Sequence, residues 1–172
     1  VSLLARMEMA DVDVGERWQD VADHLAPRLD DQVLPFLDLQ YLYGLARAGR
    51  AEAPALLARI EVFAENAPAW SRVAWQQVAV PAARGLLAHA QGDWTGAANS
   101  LGRALPHLQT IGGSHAQRDL FEQLHLDALV RGGQWAGAQH LLQQRANACP
   151  QSLRLKRQLR PVYAALGLPD LP

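Results

Sequence analysis

Two stretches decide how this chain folds: Gly92-Asp93-Trp94-Thr95-Gly96-Ala97 and, 41 residues further on, Gly133-Gln134-Trp135-Ala136-Gly137-Ala138. They agree at Gly, Trp, Gly and Ala, and Leu101 and Leu142 keep the same offset. Gly49-Arg50-Ala51-Glu52-Ala53 holds the equivalent place 43 residues before Gly92. Each copy reads as the corner of a helical hairpin. The leading Gly supplies the left-handed turn that ends one helix, and the following Trp or Ala opens the next. One such hairpin cannot bury its apolar face alone. Recurrence at a near-constant interval therefore predicts hairpins stacked in series around a continuous core.

Outward from these corners, strand-forming residues are sparse and Ala, Leu, Gln, Arg and Glu dominate, a composition that favours helix. Gly and Pro cut the chain into helix-sized pieces. The spacing predicts helices near 2–9, 16–29, 35–48, 52–66, 71–91, 94–108, 115–131, 135–147 and 152–166. In the last of these, Leu155, Leu159, Val162 and Leu166 recur at helical spacing as one apolar face. The helix over 35–48 is apolar almost all round and is expected to be central. Pro81 falls inside 71–91, where it removes a backbone hydrogen bond and presses on the carbonyl of Gln77. Either the helix kinks there or a new one begins. The elements group into hairpins over about 1–29, 35–66, 71–108 and 115–147 with a capping helix over 152–166, one domain across residues 1–172. The fold class is all-α, antiparallel helical hairpins stacked in an array.

The 172 residues are 49% hydrophobic with a net charge of −1. That suffices for one buried core and argues against a dedicated nucleic-acid binder. No apolar run reaches the roughly 18 residues of a membrane span. The chain does not begin with Met and is expected to be a piece of a longer protein. The single Cys149 cannot staple a fold; it is expected as a small buried filler in a reducing, cytoplasmic compartment.

The segment Gly85 to Ala104, with small residues at Gly85, Ala97 and Ala104 and a large one at Leu101, resembles a tetratricopeptide unit. A second unit fits through Gly133, Ala138, Leu142 and Pro150. The interval exceeds the 34 residues of that repeat, and the surplus falls around Gly112-Gly113-Ser114. Ile111-Gly112-Gly113-Ser114-His115-Ala116-Gln117-Arg118-Asp119, followed by Phe121, is similar to the signature of the tetratricopeptide repeat protein 38-like family. Asp38, ahead of Tyr41-Leu42 and the Ala-Arg-Ala-Gly segment ending at Gly49, resembles that family's upstream helix, with Gln40 where many relatives carry His. The likeness covers about residues 30–165. It implies the C-terminal part of a longer helical-repeat protein, a right-handed α-α superhelix whose first helices face a concave groove. On that pattern the groove positions are Tyr43, Arg47, His89, Gln123, Asp127 and Arg131, a mixture suited to a peptide or an acidic terminus.

Gly112-Gly113-Ser114-His115-Ala116-Gln117 reads first as a helix start, with Ser114 and Gln117 forming a capping box. The rival reading is an anion site at the same helix end, completed by His115 and Arg118. Asp38 lies in an apolar helix and needs a partner, with Arg118 or Arg47 expected. The six His show no metal-ligand spacing and no Ser nucleophile motif occurs, so no metal, cofactor or catalytic residue is assigned. Trp18, Trp70, Trp75, Trp94 and Trp135 are expected as packing anchors.

Two functional readings follow. The first is a non-enzymatic module that binds a protein or peptide in its groove through Tyr43, Arg47, His89, His115, Arg118, Gln123, Asp127 and Arg131. It needs no cofactor, nucleic acid or membrane; the remainder of its own chain is a further expected partner. The second is a small-molecule-binding or enzymatic domain, with a polar pocket assembled from Asp38, His89, His115 and Arg118.

Overall fold

The computed structural model describes residues 1–169, so the last three residues of the expected domain lie outside it. Among the described residues the chain is helical, without a strand. The α-helices are α1 (Ser2–Glu8), α2 (Arg17–Leu25), α3 (Pro35–Arg47), α4 (Glu52–Asn66), α5 (Val80–Ala90), α6 (Trp94–Ala104), α7 (His115–Arg131), α8 (Trp135–Ala148) and α9 (Leu153–Ala165). Short 3-10 turns extend α2 over Ala26–Arg28 and α6 over Leu105–Ile111.

The corners form as their residues dictate. Gly49, Gly92 and Gly133 adopt positive φ of 66°, 78° and 67°, the left-handed turn that a Cβ disfavours. The Asp93 side chain caps α6 by accepting from the Gly96 amide. Ser114 and Gln117 cap α7 reciprocally, and Ser152 caps α9. The rotation of apolar residues then decides which side each helix buries. In α4 these are Ala53, Leu56, Ile60 and Ala64, at steps of three and four. In α9 Leu155, Leu159 and Val162 are buried as expected, but Leu166 follows the helix end and is exposed.

Neighbours in sequence are neighbours in space: α3 packs on α4, α5 on α6, α6 on α7, and α8 on α9. The first helices also touch one another, α3 against α5 and α5 against α7. Close approach of α5 to α6 depends on Gly85, where a Cβ would come within 2.9 Å of the Leu101 amide nitrogen. One core runs from α1 to the start of α7, and a second joins α6, α7, α8 and α9. The helix α3 is central, with eight of its residues buried.

Several expectations change. Helix α1 packs on α7, across the array from its neighbour in sequence. Pro81 meets the second of its two expected outcomes, a new α-helix beginning there. It sits in the first turn of α5, preceded by a π-helical segment over Ala74–Ala79 in which the Val80 amide reaches the Trp75 carbonyl five residues back. The wider turn takes up the crowding a Pro ring imposes on the turn before it. Cys149 is exposed, just beyond α8, not a buried filler. Trp70 is 85% exposed and anchors nothing, whereas Trp18 and Trp75 are buried.

Candidate functional site

The inner helices present one side of α3, α5 and α7 to α1, and the residues there form a continuous polar layer. The hydroxyl of Tyr43 on α3 lies 3.2 Å from Nδ1 of His89 on α5, and Nε2 of His89 lies 3.0 Å from Oδ2 of Asp127 on α7. A neutral ring with its proton on Nε2 satisfies both contacts: Tyr43 donates to Nδ1, and Nε2–H donates to the Asp127 carboxylate. Arg131, one turn beyond Asp127, donates through Nε to both carboxylate oxygens, and its guanidinium lies 5.2 Å from the centroid of the Trp94 ring. His89 also meets the rings of Tyr43 and Trp94 in T-shaped contacts.

Electrostatics follow from this packing. Burial pushes the Tyr43 hydroxyl well above its ordinary value, so it stays protonated. Burial pushes the Asp127 carboxyl up, but hydrogen bonds from His89 and Arg131, together with the Arg131 charge, outweigh it and hold the group below its ordinary value. The cavity beside this layer measures only about 90 Å³. Tyr43 and His89 are 2% and 5% exposed, so the layer is packed rather than open.

The lid over it is α1. Glu8 pairs with Arg47 of α3 at 2.7 Å. Arg6 donates to the Ala116 carbonyl of α7 and lies 3.6 Å from Asp119. Ser2 donates to the Gln40 side chain, and Leu4 and Ala5 are buried. Helix α1 therefore bridges α3 and α7. Asp119 continues the layer: Arg145 pairs with it at 2.6 Å, and Gln123 donates to its Oδ2. Burial raises the Asp119 carboxyl, but the Arg145 bond and charge, with the Gln123 bond, outweigh it and leave the group below its ordinary value. Buried Gln123 in turn accepts from Arg154 of α9 at 2.8 Å. Beyond α1 the inner face opens into a cleft of about 430 Å³ between α7 and α9.

The structure brings together Tyr43, Arg47, His89, Asp127 and Arg131, with Gln123 one turn before Asp127. It does not bring together Asp38, His89, His115 and Arg118. His115 is exposed at the start of α7, 12 residues before Asp127, or about 18 Å along a helix rising 1.5 Å per residue. Arg118 donates to the Gly112 and Gly113 carbonyls, not to Asp38. Arg47 serves Glu8. The expected Asp38 ion pair is therefore absent: Asp38 is 1% exposed, and neither carboxylate oxygen has a hydrogen-bond partner. Burial, with the nearby Asp31 charge, pushes its carboxyl up to about 7, only partly offset by the dipoles of the Asp38 and Gln32 amides. At α7 the Ser114–Gln117 box uses the end amides for its own cap. No group of three or more His, Cys, Asp or Glu among the described residues is placed to hold a metal.

The sequence reading placed a helix over 2–9 and Trp94 as a packing anchor, but it missed that α1 seats on α3 and α7 and that Arg154 reaches Gln123. Arg6 and Glu8 flanked by small and apolar residues were the available signal for α1, but a seven-residue helix carries too little periodicity to reveal its seat. No helix among the described residues is long and apolar enough to cross a membrane. No protein-family model matches the chain, and no solved structure matches it with significance.

Proposed function

We propose that the chain is a non-enzymatic helical-repeat module, its hairpins stacked as a tetratricopeptide-like right-handed superhelix, that binds a protein or peptide partner on the face formed by α3, α5 and α7. The resemblance to the tetratricopeptide repeat protein 38-like family supports the same reading. One observation carries it: that face already holds a helix. Helix α1 is seated by an ion pair at α3, a hydrogen bond and an ion pair at α7, and two buried side chains between them. A surface that anchors one short helix through apolar contacts and flanking charges has the chemistry of helix-in-groove recognition.

An enzymatic reading finds less support. Its four residues are dispersed, and the His89 ring is fully engaged by Tyr43 and Asp127 beside a cavity too small for more than a few waters. The test is cross-linked recovery of cellular partners by the wild-type protein and by Arg131→Glu, which reverses an exposed charge on this face. Loss of specific partners from the variant is expected. Equal recovery by both proteins overturns the groove assignment.

A further inference from the structure

The cleft between α7 and α9, closed on one side by Arg6, Met9 and Ala10, differs from the layer beneath α1 in being open and in carrying two arginines without an ion pair among the described residues. Its floor is apolar, built from Leu126 and Val130 of α7 and Leu142 of α8, with Pro161 of α9 at one side. Its rim carries Arg154 and Arg157, three residues apart on α9. Arg154 is hydrogen-bonded only to the neutral side-chain oxygen of Gln123, and Arg157 has no partner among the described residues. Of the neighbouring charges, Arg6 lies by Asp119, and Asp127 pairs with His89 and Arg131, while Asp11 lines the same rim. Two guanidinium groups thus stand over an apolar floor without an ion pair among the described residues, and Asp11 is the one further carboxylate lining the described rim besides Asp127.

A third feature speaks for peptide over a simple apolar acid. Pro161 lies within α9 and has no N–H, so the Arg157 carbonyl, four residues back, loses its helical donor. That acceptor lies on the Pro161 stripe of α9, beside the two guanidinium groups. A peptide supplies all the complements: amide N–H for the carbonyl, carboxylates for the arginines and a large apolar side chain for the floor.

We propose that this cleft binds an acidic segment of a partner protein, with a bulky apolar residue placed in the pocket and flanking Glu or Asp side chains paired to Arg154 and Arg157. The inference rests on the reading of the inner face as a partner-binding surface and names the chemistry recognised at its open end. Guanidinium–carboxylate hydrogen bonds are charge-assisted and bidentate in favourable cases, and the apolar anchor adds burial that a charged surface alone does not provide. Arg154 is already held near the floor by Gln123, which lowers the ordering cost of one contact.

The probe is a fluorescein-labelled peptide, Gly-Ser-Glu-Leu-Phe-Glu-Ser-Gly, titrated against the full chain by fluorescence anisotropy. Three controls accompany it: the same peptide with Gln for both Glu, the same peptide with Ala for Leu and Phe, and decanoate as a competitor. Saturable binding is expected, weakened about tenfold or more by Arg154→Gln/Arg157→Gln and by either altered peptide, since one charge-assisted bond contributes roughly 1.5–3 kcal/mol. Both arginines are exposed, and a melting curve of the double variant verifies its fold. A single Val130→Glu substitution places a carboxylate by the floor and abolishes binding by an independent route. Absence of saturable binding, equal affinity for the double variant, or equal affinity for the Gln peptide overturns the proposal. Decanoate binding without peptide binding also overturns it, in favour of a small apolar acid. If the peptide fails while Arg131→Glu still loses cellular partners, only the acidic-segment inference falls and the groove reading stands.

Discussion

The substitution Asp38→Asn should stabilise this protein at neutral and alkaline pH and do nothing in acid. Asp38 is buried in the central helix α3 with both oxygens unpartnered, and its carboxyl is pushed from an ordinary 3.8 to about 7. The folded state therefore holds a proton that the unfolded chain releases near pH 4. Between those two values the folded state binds more protons, so stability falls as pH rises and the full cost is present above about pH 7. At about 1.4 kcal/mol per pH unit the cost is about 4 kcal/mol. The amide of the variant would keep the shape without the charge, so the difference between the two proteins should be near zero at about pH 4 and several kcal/mol at about pH 8. For a domain of this size that is roughly a 10 °C difference in melting temperature. Asp119 and Asp127 work in the opposite sense. Held below their ordinary values, they stabilise the fold above that range, and the contribution disappears as pH falls through it. Both proteins share them, so the difference isolates Asp38. Urea unfolding at about pH 4, 6 and 8, spanning the window set by the two pKa values, is the assay. A variant less stable than wild type at the alkaline end, or a difference independent of pH, would refute the reasoning and point to a partner for Asp38.

Three further outcomes can be checked. Gly85→Ala should destabilise by up to about 2 kcal/mol, because overpacking against the Leu101 backbone costs about 1–3 kcal/mol and the gain in helix propensity returns about 1; a higher urea midpoint would contradict the close approach of α5 and α6. Ser114→Ala removes the reciprocal cap of α7 and should cost about 1 kcal/mol in the same assay. Glu8→Gln loosens α1 from Arg47 by roughly 1 kcal/mol, and trypsin cleavage at Arg6 should accelerate about fivefold if cleavage follows opening; unchanged cleavage would mean that the Glu8–Arg47 pair does not hold α1 in place.

The repeat corners were legible because local chemistry determines them: a Gly that turns left-handed at positions 49, 92 and 133, joined at the second by the Asp93 cap. The α7 limits, His115 to Arg131, follow from Ser114 and Gly132 alone. The polar residues on α3, α5 and α7 were named by carrying the tetratricopeptide pattern over from those corners, and Tyr43, Arg47, His89, Asp127 and Arg131 lie together. Partners were not legible. Asp38 and Arg118 have opposite charges, but Arg118 reaches back to the Gly112 and Gly113 carbonyls of its own loop, a competition between local backbone and distant carboxylate that sequence does not weigh. Cys149 reads as buried after Ala-Asn-Ala, yet α8 ends at Ala148 and leaves the thiol exposed. The Arg154–Gln123 contact joins residues 31 apart and depends on how α9 lies on α7.

The π-helical segment over Ala74–Ala79 has a consequence for length variation in this chain. Such a turn holds one residue more than an α-turn, and one residue amounts to about 100° of rotation at 3.6 residues per turn. Deleting a single residue there would restore ordinary helical bonding while swinging the upstream side chains around the axis. Trp75, stacked edgewise on Phe63 at 4.7 Å, would leave its place while His89 kept its own. The surplus residue therefore acts as a phase adjuster, reconciling the outer packing of one hairpin with the inner polar layer of the next.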